Sequence, residues 1–310
     1  MGLSGYLKGA LFTSACFVTT FAGVSTIGIP LMVWMYFAPK QCTPVCQFFQ
    51  AQFFFIAIAV LEFVCGIKFV ITGDEVPRNE SSIMICNHRT RLDWMFLWNL
   101  SYRVGLPTAL RIVLKKELKF VPGLGWCTGI LSYMFLSRNW EHDELFLSRR
   151  LHTMRDCGLP YQLLIFPEGT DLSDDNLRRS HEFSEKRGLE KYQYVLHPRV
   201  RGLMHCIQHL QPSCRSLWDL TIAYPDVIPQ GEQHLLSGNL PNEIHIDVKR
   251  IPITEIPSEP AEQETWIREL WATKEKKLKT FYEETNAFPT GDSLHERSKL
   301  WLVFCIFFWC

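Results

Sequence analysis

The sequence predicts an α/β protein in which a membrane helical hairpin precedes a domain built from a sheet flanked by helices. Two observations carry this. Between Leu11 and Leu61 the only charged residue is Lys40. After residue 66, short apolar runs alternate with longer amphipathic ones, the pattern of strands alternating with helices. No internal repeat or low-complexity linker divides this second part. The expected boundaries are 1–65 for the hairpin, 66–288 for the α/β domain, and 289–310 for a linker and the start of a C-terminal membrane segment.

The hairpin rests on two apolar runs, Leu11 to Phe37 and Phe48 to Leu61, broken by Ala38-Pro39-Lys40 and Thr43-Pro44. A membrane-spanning helix needs about 20 apolar residues. A cleaved signal peptide fits the first run less well, because an apolar signal core has only about 7–15 residues and here a second run follows. Gly23, Gly28 and Pro30 are tolerable in a span only where neighbouring groups satisfy the backbone they free. Two spans return the chain to its starting side. Lys8 precedes the hairpin, Lys68, Arg78, Arg89 and Arg91 follow it, and the loop has Lys40 alone, a bias that places the α/β domain in the cytosol. The hairpin could equally be re-entrant. The closing stretch from Leu300 to Cys310 is too short to span by itself.

Formal net charge is zero, so no bulk attraction to nucleic acid or to an anionic membrane is expected; the lipid bilayer is implied as a partner by the apolar hairpin alone. The 11 cysteines are odd in number and form no CxxC pair; neither a zinc site nor a secreted disulfide framework is expected. Cys42 and Cys46 fall in the expected hairpin loop, where an oxidising lumen would permit them to pair.

Gly66–Ile71 and Ser82–Cys86 read as strands, the second apolar throughout as in a sheet covered on both faces. Leu92–Leu100 reads as a helix. Lys115–Gly125 carries Lys115, Lys116 and Lys119 before a Pro122-Gly123 turn. Gln162–Phe166 is a strand stopped by Pro167-Glu168-Gly169, and Asp174–Lys191 is partly helical. Leu220–Tyr224 and Ile244–Val248 are later strands. Glu262–Glu284 is an amphipathic helix with Ile267, Leu270, Trp271, Leu278, Phe281 and Tyr282 near one face.

Chemistry gathers in four places. In Asn87-His88-Arg89-Thr90-Arg91-Leu92-Asp93, His88 and Asp93 are five apart. On one helix they would point some 140° apart, but they meet if His88 precedes the helix and Asp93 lies in its first turn. An aspartate on one ring nitrogen fixes the tautomer and leaves the other as a base, which suits deprotonation of an alcohol attacking a thioester. A structural histidine is the bland alternative. Phe166-Pro167-Glu168-Gly169-Thr170 follows a strand, with Gly169 allowing close backbone approach to a ligand. Phe135-Leu136-Ser137-Arg138 delivers an arginine suited to phosphate. The fourth is Val195-Leu196-His197-Pro198-Arg199. Cys86, two before His88, reads either as a packed strand cysteine or as a nucleophile.

Taken in order, an NHxxxxD block, an apolar block ending in Arg, an FPEGT block and an apolar-Pro block resemble the glycerolipid acyltransferases. The resemblance spans about Leu61 to Glu284, and NHRTRLDWMFLW, EKYQYVLHPR and IAYPDVIPQGEQHLL resemble the lysocardiolipin acyltransferase branch. It implies a mixed sheet and acyl transfer from acyl-CoA, as co-substrate with no further cofactor, to a lysophospholipid. The implied place is the endoplasmic reticulum membrane. His88 would be the base and Asp93 its partner. Arg138, Glu168, Gly169, Thr170 and Pro198 would bind or shape substrate. One departure is Asp171, where phosphatidate-forming relatives often carry Arg. This favours lysocardiolipin, lysophosphatidylinositol or lysophosphatidylglycerol over lysophosphatidate as acceptor. A CoA-independent transacylase and a non-catalytic lipid-binding protein are the competing readings.

Overall fold

The computed structural model describes residues 3–77, 80–121, 125, 128, 131, 133–137 and 139–289. Arg78, the Pro122-Gly123 turn, Arg138 and the expected C-terminal membrane segment lie outside these residues.

Helix α1 (Leu3–Gly23) passes through a π turn, Val24–Gly28, into α2 (Ile29–Phe37). Pro30 has no N–H to give Thr26, and just before it the ladder widens, with the Ile29 N–H reaching the Val24 carbonyl. The chain turns at Ala38 and returns as α3 (Pro39–Ala59), which ends in a second π turn, Val60–Val64. Two helical stretches, Gly5–Phe37 and Lys40–Val64, are long and apolar enough to cross a membrane, with mean hydropathy 1.8 and 1.7. The first turns Leu11, Phe17, Phe21, Val33 and Trp34 outward. So large an apolar surface is unusual against water and ordinary against lipid, the pattern of a membrane-associated hairpin.

The hairpin loop is shorter than expected. Proline at the first helical position forfeits no hydrogen bond, so α3 starts at Pro39 and carries Pro44 within it. Cys42 and Cys46 are therefore one turn apart on a buried helix face rather than in a loop. They are thiols with sulfurs 3.6 Å apart, and Cys42 donates to the Leu31 carbonyl.

Seven strands form one mixed sheet: β1 (Lys68–Gly73), β2 (Ser82–Cys86), β3 (Leu110–Lys115), β4 (Met134–Leu136), β5 (Gln162–Ile165), β6 (Ser216–Ala223) and β7 (Glu243–Pro252). Their order is β1-β7-β6-β2-β5-β3-β4. Strands β6, β2, β5, β3 and β4 are parallel, β7 is antiparallel to β6, and β1 is parallel to β7. The described helices of the domain are α4 (Asp93–Arg103), α5 (Trp140–Asp156), α6 (Asp174–Arg187), α7 (Val200–Leu210), α8 (Glu232–Ser237) and α9 (Pro260–Thr280). Alternation along β2 divides the core: Met84 and Cys86 pack with α3 and α4, and Ile83 and Ile85 with α5, α7 and α9.

Two of the strands the sequence hid or shortened carry buried charge. β3 contains Arg111, whose guanidinium is held by the Thr108 and Leu110 carbonyls and by Gln50 of α3. β6 extends back through Asp219, which accepts from the fully buried Lys274 at 2.7 Å. β7 extends beyond Ile244–Val248 at both ends. Its Glu243 pairs with Lys68. Each polar residue interrupts the apolar pattern in the sequence and has a charged or carbonyl partner in the fold.

Glycines hold the hairpin on the domain. A Cβ on Gly9 would collide with the Leu235 and Leu236 carbonyls of α8, whereas one on Gly23 would meet nothing within 4 Å. Overpacking of this kind costs about 1–3 kcal/mol. Gly9→Val should lower the melting temperature in detergent by several degrees, and Gly23→Ala should leave it nearly unchanged. Equal melting of the two variants would contradict this seam.

Candidate active site

Strands β5, β2 and β6 lie side by side and run the same way, so their carboxyl ends open at one place, where ligands bind in open α/β sheets. Asn87-His88 follow β2, Phe166-Pro167-Glu168 follow β5 and Tyr224 follows β6. Asn87 locks the first of these ends. Its amide donates to the Ile222 carbonyl at 3.0 Å and accepts from the Ile222 N–H at 2.8 Å, extending the β2–β6 ladder with a side chain.

His88 lies before α4 and Asp93 is its first residue, the arrangement their spacing requires. His88 Nδ1 is 3.0 Å from Asp93 Oδ2, which also accepts the Thr90 N–H at 2.9 Å. The Tyr224 hydroxyl donates to Asp93 Oδ1 at 2.5 Å. Asp93 is fully buried at a helix N-terminus, where amide dipoles favour a carboxylate. Ionised, it can only accept. The proton on this contact therefore belongs to His88 Nδ1, which in the neutral ring leaves the lone pair on Nε2. The ring stacks on Phe166 at 4.3 Å and its side chain remains 16% exposed.

Glu168 points inward, into a set of backbone and indole donors. It is 3% exposed. Oε1 accepts the His88 N–H and the Trp271 indole N–H, each at 3.3 Å, and Oε2 accepts the Leu196 N–H at 3.1 Å. Burial pushes its carboxyl up to about 7, against the pull of these donors. Glu168 thus ties together the β2 loop, the 195–199 segment and α9. It stands behind the cavity wall, as does buried Pro198.

The cavity has a volume of about 1470 Å³. His88, Gly169, Thr170 and Arg199 line one part of it, and Phe12 of α1 and Phe53 of α3 another, so it joins the strand ends to the hairpin. Its lining is mostly apolar, as ligand pockets usually are. Asp171 is on the wall beside Arg91, 3.8 Å from its Nε. Cys86 is fully buried and off the wall, and burial pushes its thiol well above the usual range.

Two family profiles match the chain: one described as "Acyltransferase" over residues 68–224, and one described as "Acyltransferase C-terminus" over 234–309. Lysocardiolipin acyltransferase 1 of Gallus gallus is 41% identical over 290 residues, 93% of this chain and 77% of that protein. The chain belongs to the glycerolipid acyltransferase family. Lysophosphatidylinositol acyltransferase 10 of Caenorhabditis elegans is 37% identical over 74% of this chain and 60% of its own length. The crystal structure of a 1-acyl-sn-glycerophosphate acyltransferase, PlsC, from Thermotoga maritima has the same fold. Its TM-score is 0.52 at 16% identity, covering 90% of this chain and all of that one.

In this acyltransferase the structure brings His88 and Asp93 together and sets Gly169 and Thr170 on the same wall. Sequence reasoning gave no role at the site to Tyr224, Arg199 or Trp271. Tyr224 had a signal: it follows an apolar strand as His88 and Phe166 do. Trp271 looked like any core residue of an amphipathic helix.

Hydrogen bonds to charged groups contribute about 1.5–3 kcal/mol. Tyr224→Phe, which removes one of three donors to Asp93, should reduce kcat about tenfold or more with little change in melting temperature. Wild-type turnover in this variant would show that the Tyr224 hydroxyl does not support the pair.

Proposed function

We propose that this acyltransferase moves an acyl group from acyl-CoA to a hydroxyl of a lysophospholipid, with His88 as general base. The observation that carries the reading is the contact of His88, on the cavity wall, with the buried Asp93 behind it, because it orients the neutral imidazole with Nε2 bare. An acceptor hydroxyl brought to Nε2 gives up its proton as its oxygen bonds the thioester carbonyl carbon. The tetrahedral intermediate then expels the sulfur, and the imidazolium returns the proton to the departing thiolate. Asp93 stabilises the positive charge on the ring in between. Transfer is direct: Cys86, buried and off the wall, has no role as nucleophile. The apolar stretch of the cavity toward the hairpin suits fatty acyl chains.

The acceptors we favour are lysophospholipids with a phosphodiester headgroup: lysocardiolipin, lysophosphatidylinositol or lysophosphatidylglycerol. Two relatives are named for the first two, and Asp171 adds a repulsive charge toward a phosphomonoester, tempered by Arg91. The setting is the endoplasmic reticulum membrane with the domain in the cytosol, consistent with the basic residues flanking the hairpin.

General-base contributions are about 10²–10⁴-fold. With purified protein, labelled acyl-CoA and lysophosphatidylinositol, His88→Ala should lose activity by that factor while still inserting in membranes. Product formation without acyl-CoA, or near-normal turnover in His88→Ala, would overturn the proposal.

A further inference from the structure

We propose that Arg199, seated across Gly169, holds a phosphate ester of one of the two substrates. The inference rests on the acyltransferase reading above and deepens it. Arg199 is fixed at its backbone, where its N–H donates to the Pro167 carbonyl at 2.7 Å. Its side chain then crosses the 168–170 turn. Gly169 has φ +75°, and a Cβ there would lie 3.2 Å from Arg199 Cδ, 3.3 Å from Nε and 3.5 Å from Cζ. Gly169 is thus required by its left-handed backbone, and the arginine side chain packs close over it.

The site is on the wall that His88 and Thr170 also line. Arg201, two residues on, lines it as well, with its guanidinium 4.7 Å from the Trp140 ring centre. The Trp140 indole nitrogen on this wall is buried with no hydrogen-bond partner. A guanidinium offers a planar fork of donors that matches two phosphate oxygens. Both substrates bring a phosphate, the lysophospholipid in its headgroup linkage and acyl-CoA on its nucleotide.

The test uses the purified full chain, with KM for each substrate measured at saturation of the other. Arg199→Gln should raise one KM about tenfold or more while kcat changes far less, because a charge-assisted contact is lost away from the reacting bond. A rise for acyl-CoA assigns the phosphate to CoA, and a rise for lysophosphatidylinositol assigns it to the lipid. Arg199→Lys should recover part of the loss. Gly169→Ala, which displaces the arginine, should raise the same KM. Calorimetric titration with CoA and with lysophosphatidylinositol in detergent, on wild type and Arg199→Gln, gives a readout independent of turnover. Unchanged KM and unchanged binding for both substrates in Arg199→Gln would overturn the proposal, as would Gly169→Ala leaving the affected KM untouched. Wild-type protein with no acyl-CoA-dependent turnover would instead count against the reading of the reaction, and the titrations would still decide the role of Arg199.

Discussion

The carboxyl of Glu168 is the tie on which the active cavity depends. A buried carboxyl is costly unless its oxygens are satisfied, and here three N–H donors from three chain segments converge on it. The cost of burying Glu168 and the cost of leaving those donors unmet are relieved by the same arrangement. Moving any one segment exposes both. The His88 loop, the 195–199 segment that delivers Arg199, and the start of the Trp271–Lys274 turn of α9 are therefore held as one unit. Lys274 continues this tie into the sheet by donating to Asp219, the Leu220 carbonyl and Thr221.

On that frame the His88–Asp93 pair inherits its geometry from strand ends. Asn87 links β2 to β6 through the Ile222 backbone, and Tyr224 links the end of β6 to α4 through Asp93. The imidazole is thus held on one side by Asp93 and on one face by Phe166. Phe12 and Phe53 of the hairpin line the same cavity. Under the proposed reaction an acyl chain would remain in these apolar surroundings while its head reaches the strand ends.

The sequence made the hairpin, the central strands and the His88–Asp93 contact legible because each left a pattern of its own. Charge vanished over fifty residues for the hairpin, Ser82–Cys86 was apolar throughout, and five-residue spacing worked once a strand-to-helix boundary fell between the two residues. What stayed hidden is where polarity is buried and paired. Arg111, Asp219, Asp247 and Lys274 read as surface residues in one dimension and as strand or core residues in three. Glu168 was legible as a residue of the site, but its partners were not: only the packing of α9 and the 195–199 segment shows that its carboxyl faces inward. Proline at 39 and 44 overstated the break in the hairpin: Pro39 opens α3, where it forfeits no hydrogen bond, and Pro44 lies within the helix without ending it.

The most direct measurement is amide hydrogen exchange on Glu168→Gln in detergent micelles, with kcat measured on the same sample. Glutamine keeps the shape but offers one acceptor oxygen, and its NH₂ faces an N–H donor. The account predicts faster exchange at both His88 and Leu196, which are far apart in sequence, with a fall in kcat and unchanged exchange in the central strands. Wild-type protection at both amides together with wild-type kcat would contradict it.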